Sequence, residues 1–132
     1  MRFSVEQANA AATPLAKHLG MVIVSLHPDE VVATLMVKPE LCTLPTGLHG
    51  GVFMAFADNT AAVATILNLP EGAAGTTTIE SKTNFLAAAP VGATITATAT
   101  PLHRGRRTQV WQTRIEREGR LLASVVQTQL IL

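Results

Sequence analysis

Apolar and polar residues alternate with a period of two through much of the second half of the chain. Thr94, Thr96, Thr98 and Thr100 fall on one face of a strand, and Ala93, Ile95, Ala97 and Ala99 fall on the other. Similar alternation, rich in Thr, Val and Ile, predicts strands over Thr76–Leu86, Ala93–Leu102, Thr108–Arg117 and Arg120–Leu132. Glu116-Arg117-Glu118-Gly119-Arg120 supplies a hairpin turn between the last two. Two earlier strands are expected near Met21–Leu26 and Glu30–Lys38, joined by the turn-prone His27-Pro28-Asp29.

The pattern breaks between these two groups. Leu41–Gly51 is rich in Thr, Pro and Gly and reads as a loop. From Gly50 or Gly51 until just before Pro70 the chain is apolar almost all round and too long for a strand. Its Ala, Leu and Met content predicts a helix buried on most sides. Ser4-Val5-Glu6-Gln7 has capping-box spacing, and Thr13-Pro14 followed by Gly20 marks a second short helix. The sum is an α+β fold, one domain over 1–132. A curved antiparallel sheet of about six strands wraps one long central helix, with short helices at the N-terminus. This is the hotdog arrangement.

Composition narrows the class. Hydrophobic residues make up 48% and charged residues 14%, which excludes disorder. A mean hydropathy of +0.32 suggests that a partner subunit covers some apolar surface. The net charge of +1 argues against nucleic-acid binding. The single Cys42 fits a reducing compartment and leaves no thiolate zinc cluster. No basic region leads into an apolar run near the N-terminus, so the expectation is a soluble, cytoplasmic protein without a membrane span.

The start of the long helix carries the most informative residues, Leu48-His49-Gly50-Gly51, followed by Asp58. Paired glycines there suit close approach of a ligand to the backbone. The first helical N–H groups lack internal partners and carry partial positive charge, so they can stabilise an oxyanion. Asp58 amid Phe53, Ala55, Phe56, Ala57, Ala61 and Ala62 is costly to desolvate, as functional carboxylates often are. Eight residues of helix separate Gly50 from Asp58 by about 12 Å, beyond hydrogen-bond reach. If both serve one reaction, two chains must supply them, which implies a two-fold dimer. Taken singly, either feature is more often structural.

Leu48-His49-Gly50-Gly51, then Ala57-Asp58-Asn59 with Asp58 nine residues after His49, resembles the signature of the PaaI-like (phenylacetate-pathway-type) hotdog acyl-CoA thioesterases. The resemblance covers nearly the whole chain, including Leu19-Gly20, Thr78–Leu86 and Arg104-Gly105-Arg106. It implies hydrolysis of an acyl-CoA thioester to free acid and coenzyme A. The Gly50 amide would polarise the carbonyl, His49 would shape the loop, and Asp58 of the partner subunit would activate water or attack directly. A hydroxyl from Thr77 or Thr78 would help hold the water. Gly51, Asn59 and Thr43 would adjoin the substrate, Thr43 standing where several relatives carry an Asn. A Thr hydroxyl is shorter and offers no amide donor. The resemblance also implies a homo-oligomer, a dimer with shared sites assembled as a dimer of dimers. It implies no cofactor and no metal, coenzyme A being part of the substrate.

His103-Arg104-Gly105-Arg106-Arg107 is a compact basic loop. On charge alone a solvated hairpin is favoured by about two to one. The resemblance instead implies that Arg104, Arg106 and Arg107 hold coenzyme A phosphates, with Lys82 and Asn84 as weaker candidates. Phe53, Phe56, Phe85 and Leu86 are candidates for the acyl side. The four histidines lack metal-ligand spacing, and Ser81 and Ser124 lack an elbow motif. The rival readings are a hotdog hydratase or dehydratase and a non-catalytic acyl-CoA-binding module.

Overall fold

A computed structural model describes residues 2–132. Along the chain lie α1 (Val5–Ala10), α2 (Pro14–Leu19), β1 (Val22–His27), β2 (Glu30–Met36), a 3-10 turn (Pro39–Leu41) and α3 (Gly50–Leu67). β3 (Thr76–Phe85), β4 (Thr94–Arg104), β5 (Thr108–Arg117) and β6 (Arg120–Ile131) follow. All strands join one antiparallel sheet in the order β1-β2-β4-β5-β6-β3. The fold is α+β, a single hotdog domain.

Local chemistry sets the boundaries. Ser4 and Gln7 close a reciprocal capping box on α1, and the Thr13 hydroxyl caps α2 with Pro14 in its first turn. Gly20 ends α2 at φ 74°, a left-handed position that glycine adopts without strain. Glu118 and Gly119 take φ 50° and 79°, the positive pair expected of a two-residue hairpin turn between β5 and β6.

α3 crosses one face of the sheet and touches β2, β3, β4, β5 and β6. By length and composition it could cross a membrane, yet eight of its residues are buried in this domain. Ala97 and Ala99 on β4 are fully buried and, with Ile95, form the inward face that the alternation predicted. Their small side chains let the helix approach the sheet.

Two departures from the predicted elements bear on the site. The alternation of β4 stops at Pro101, but the strand continues past a register shift between Pro101 and His103. His103 and Arg104 are therefore strand residues, and the basic loop shrinks to a turn around Gly105. Among the described residues β3 occupies a sheet edge and pairs only with β6, so half of its backbone hydrogen-bonding groups face outward without a strand partner.

Candidate active site

His49 is the N-cap of α3. Its Nδ1 accepts from the Gly51 N–H at 2.8 Å, and its carbonyl accepts from Val52 and Phe53 at 2.9 and 3.3 Å. The Gly50 N–H is left with no acceptor among the described residues. The His49 and Leu48 amides are held in turn by the carbonyls of Leu41 and Ala89, both at 2.9 Å, which fixes the direction of the helix start. Thr43 is exposed in the same loop, its N–H bonded to the Gly47 carbonyl at 2.9 Å.

The glycines are needed first by this chain's own packing. A Cβ at Gly50 would lie 3.2 Å from the Phe85 ring, and one at Gly51 would lie 3.1 Å from His49 Nδ1. Phe85 stands on the helix start, edge-on to Phe53 with ring centres 6.2 Å apart, and remains 53% exposed. It therefore covers the helix start on one side only.

Asp58 is anchored through one oxygen. Its Oδ1 accepts from the Thr78 hydroxyl at 2.6 Å and from Gln127 Nε2 at 3.0 Å. Thr78 Oγ1 accepts from Gln129 Nε2 at 2.7 Å, and Gln129 Oε1 accepts from Thr76 at 3.0 Å. Among the described residues Oδ2 has no partner. The carboxylate lines a pocket of ≈ 260 Å³ with Met54, Ala55, Thr78 and Ser81. Gln127 and Gln129, both buried, are functional candidates that the sequence reading missed. The signal was present: they continue the inward phase of Ala123 and Val125 on β6, where an uncharged amide needs a partner. Gln127 Oε1 and its cross-strand neighbour Ser81 Oγ are buried beside Asp58 without hydrogen bonds.

The remaining candidates fall in different places. Thr77 is exposed on the opposite face of β3 from Thr78, so of the two hydroxyls only Thr78 meets Asp58. Lys82 and Asn84 are also exposed on β3, bonded to each other at 2.6 Å. Asn59 is occupied by scaffolding, accepting from the Thr13 hydroxyl at 2.9 Å and donating to the Ala55 carbonyl at 2.8 Å. Phe53 and Phe56 are core residues, whereas Leu86 is exposed. Arg104 donates to the Pro28 carbonyl at 3.0 Å and to Asp29 Oδ1 at 2.7 Å, so its guanidinium ties β4 to the β1–β2 turn. Arg106 and Arg107 are exposed and make no side-chain hydrogen bond among the described residues. No group of three or more His, Cys, Asp or Glu among the described residues could hold a metal ion.

An unspent helix N–H and a carboxylate with one free oxygen are the parts of an acyl-transfer site. The family model of the thioesterase superfamily matches residues 47–124, the span containing both. The chain belongs to this superfamily. A 1,4-dihydroxy-2-naphthoyl-CoA hydrolase from Listeria monocytogenes is 33% identical over 114 residues, covering 84% of this chain and 89% of that protein. The crystal structure of a thioesterase from Haemophilus influenzae matches with a TM-score of 0.92 at 30% identity, over 100% of this chain and 92% of that one. The PaaI protein of E. coli, from the phenylacetic acid degradation operon, matches with a TM-score of 0.86 at 25% identity, covering 97% and 91%. The protein is a PaaI-like hotdog thioesterase, a thioester hydrolase. In this thioesterase Gly50 and Asp58 of one chain stay about 12 Å apart along α3, as the residue count requires.

Proposed function

We propose that the thioesterase hydrolyses acyl-CoA thioesters at sites shared between two subunits of a cytoplasmic homodimer. The thioester carbonyl sits at the Gly50 N–H of one chain, where the helix start stabilises the developing oxyanion. Asp58 of the partner subunit takes a proton from the attacking water through its free Oδ2. Thr78 and Gln127 keep Oδ1 occupied and fix the carboxylate plane. The observation that carries this reading is the asymmetry at Asp58, with two donors on one oxygen and, among the described residues, none on the other. Antiparallel pairing of two α3 helices brings the separated halves together, and the unpaired edge of β3 beside them supports a second copy there. Pairing of two such dimers is the further assembly expected. Exposed Arg106 and Arg107 serve the coenzyme A phosphates.

Thiol release over a panel of acyl-CoA substrates tests the reaction. Asp58→Asn keeps an acceptor for Thr78 and Gln127 but removes the basic oxygen, so kcat should fall by about 10²- to 10⁴-fold. Turnover equal to wild type would remove Asp58 from the mechanism. Co-expression tests the sharing. Asp58→Asn chains mixed evenly with Gly50→Pro chains should recover about a quarter of wild-type activity, because half the dimers are mixed and each has one intact site. No recovery would place both groups in one subunit.

A further inference from the structure

β3 does not keep a single alternation along its length. Thr78 and Ser81 are half-buried, while Ile79 and Glu80 between them are both exposed. The pairing with β6 shifts register between Thr78 and Glu80, a bulge that adds one residue to β3. Without that residue Ser81 would stand on the outer face of the sheet. With it, Ser81 lies opposite Gln127 and lines the same pocket as Asp58 and Thr78. Bulges beside reactive groups commonly re-aim a side chain in this way.

Three oxygens at this place have no hydrogen-bond partner among the described residues: Asp58 Oδ2, Ser81 Oγ and Gln127 Oε1. Gln127 is fully buried, and its amide is oriented by the 3.0 Å bond from Nε2 to Asp58 Oδ1. That bond leaves Oε1 as the unpaired end. Buried polar atoms without partners are costly, so their clustering calls for an occupant. The Thr78 hydroxyl is already committed, giving its hydrogen to Asp58 and accepting from Gln129 Nε2. Ser81 is thus the hydroxyl of this pocket whose hydrogen is uncommitted among the described residues. Asp58 Oδ2 and Gln127 Oε1 can only accept, whereas Ser81 can also donate. An occupant that satisfies all three must bring two hydrogens and a lone pair. The reacting end of a thioester has no hydrogen to give. Water has two.

Resting on the shared-site reading above, we propose that Ser81, turned inward by the β3 bulge, and Gln127 hold the water that attacks the thioester. The water donates one hydrogen to Asp58 Oδ2 and the other to Gln127 Oε1, and it accepts from the Ser81 hydroxyl. Three of its four positions are then filled, and one lone pair remains for the carbonyl carbon. The pocket of ≈ 260 Å³ has room for this molecule, whose share of liquid volume is about 30 Å³, and for the thioester group beside it. As the new C–O bond forms, the proton on the Asp58 side passes to Oδ2. Breaking the C–S bond releases a thiolate, which takes up that proton and leaves the free acid. Holding the water before attack removes part of the entropic cost of bringing it to the carbon.

The test uses two variants of equal shape. Ser81→Thr keeps the hydroxyl, and Ser81→Val puts a methyl group in its place. Ser81→Ala, compared with wild type, serves if the branched side chains prevent folding. On the acyl-CoA that wild type turns over fastest, kcat of Ser81→Val should lie about five- to tenfold below that of Ser81→Thr, with KM within about twofold. Equal kcat values would overturn the proposal. So would a raised KM at unchanged kcat, which would give Ser81 a contact with substrate instead of water. A high-resolution crystal structure of wild type separates this inference from the reaction. It should show a water within hydrogen-bond distance of all three oxygens, displaced in Ser81→Val. If that water is seen but wild type hydrolyses no thioester, the water site stands and the hydrolase reading fails. If thioesters are hydrolysed but the three oxygens share no water, only the water site falls.

Discussion

The two ends of α3 are built to opposite rules. At the C-terminal end the Asn68 carbonyl accepts from Gln109 Nε2 at 3.0 Å, and Gln109 Oε1 accepts from Trp111 Nε1 at 3.0 Å. Asn68 Nδ2 donates to the carbonyls of Pro28 and Ala64, both at 2.9 Å, and Arg104 contacts Pro28, Asp29 and Asn68 together. Side chains from three strands or turns thus converge on the helix end. At the other end His49 occupies the Gly51 amide but leaves the Gly50 N–H without a partner among the described residues. Helix ends always expose unpaired groups, and satisfying them contributes stability. Among the described residues this chain satisfies the C-terminal end and withholds a donor at the end where the oxyanion site is proposed.

Substitutions at the two ends should therefore report on different quantities. The largest effect is expected from Gly50→Pro. Proline is tolerated at the first helical position and removes only an N–H that the fold does not use. Its ring meets Phe85, so Gly50→Ala is the control, with similar crowding and the N–H retained. Relative to Ala, Pro should lower kcat by about 10²- to 10³-fold, the cost of one oxyanion donor. Their melting temperatures should agree within a few degrees. Equal kcat values would mean that the free N–H has no part in the reaction.

Gln109→Ala should do the reverse. It strands the fully buried Trp111 N–H and a helix-end carbonyl, at about 1–3 kcal/mol for each unsatisfied group. Urea unfolding should show that loss while kcat per folded protein stays near wild type. A large fall in kcat with unchanged stability would show that the two ends are not separate in role.

The sequence disclosed the apolar periodicity well and the polar satisfaction poorly. All six strands, α3 and the two N-terminal helices were legible because burial imposes periods of two and 3.6 on residue choice. Gly50 and Asp58 stood out because each costs stability in its place. Gln127, which holds Asp58, and Gln129, which holds Thr78, did not, because both read as ordinary residues of an alternating strand until the register sets them opposite Ser81 and Thr78. Thr77 and Thr78 were inseparable for the same reason, since a shift of one residue exchanges the faces. Arg104 was grouped with Arg106 and Arg107 by charge, although the strand extends through it.

That last distinction gives the smallest prediction and the finest separation. Arg104 donates to three acceptors near the helix end, whereas the Arg106 and Arg107 side chains are exposed and have no partner among the described residues. Arg104→Ala should lower stability modestly and leave KM for an acyl-CoA unchanged, because its guanidinium is already committed. Arg106→Ala and Arg107→Ala should leave stability unchanged and raise KM by about two- to fivefold each, the scale of an exposed ion pair. The effect should shrink with added salt, since exposed pairs are screened. It should vanish for the same acyl group carried on N-acetylcysteamine, which has the thioester but no phosphate. If KM for that truncated thioester rises equally, the arginines act on the acyl side or on folding, and the phosphate contact must be assigned elsewhere.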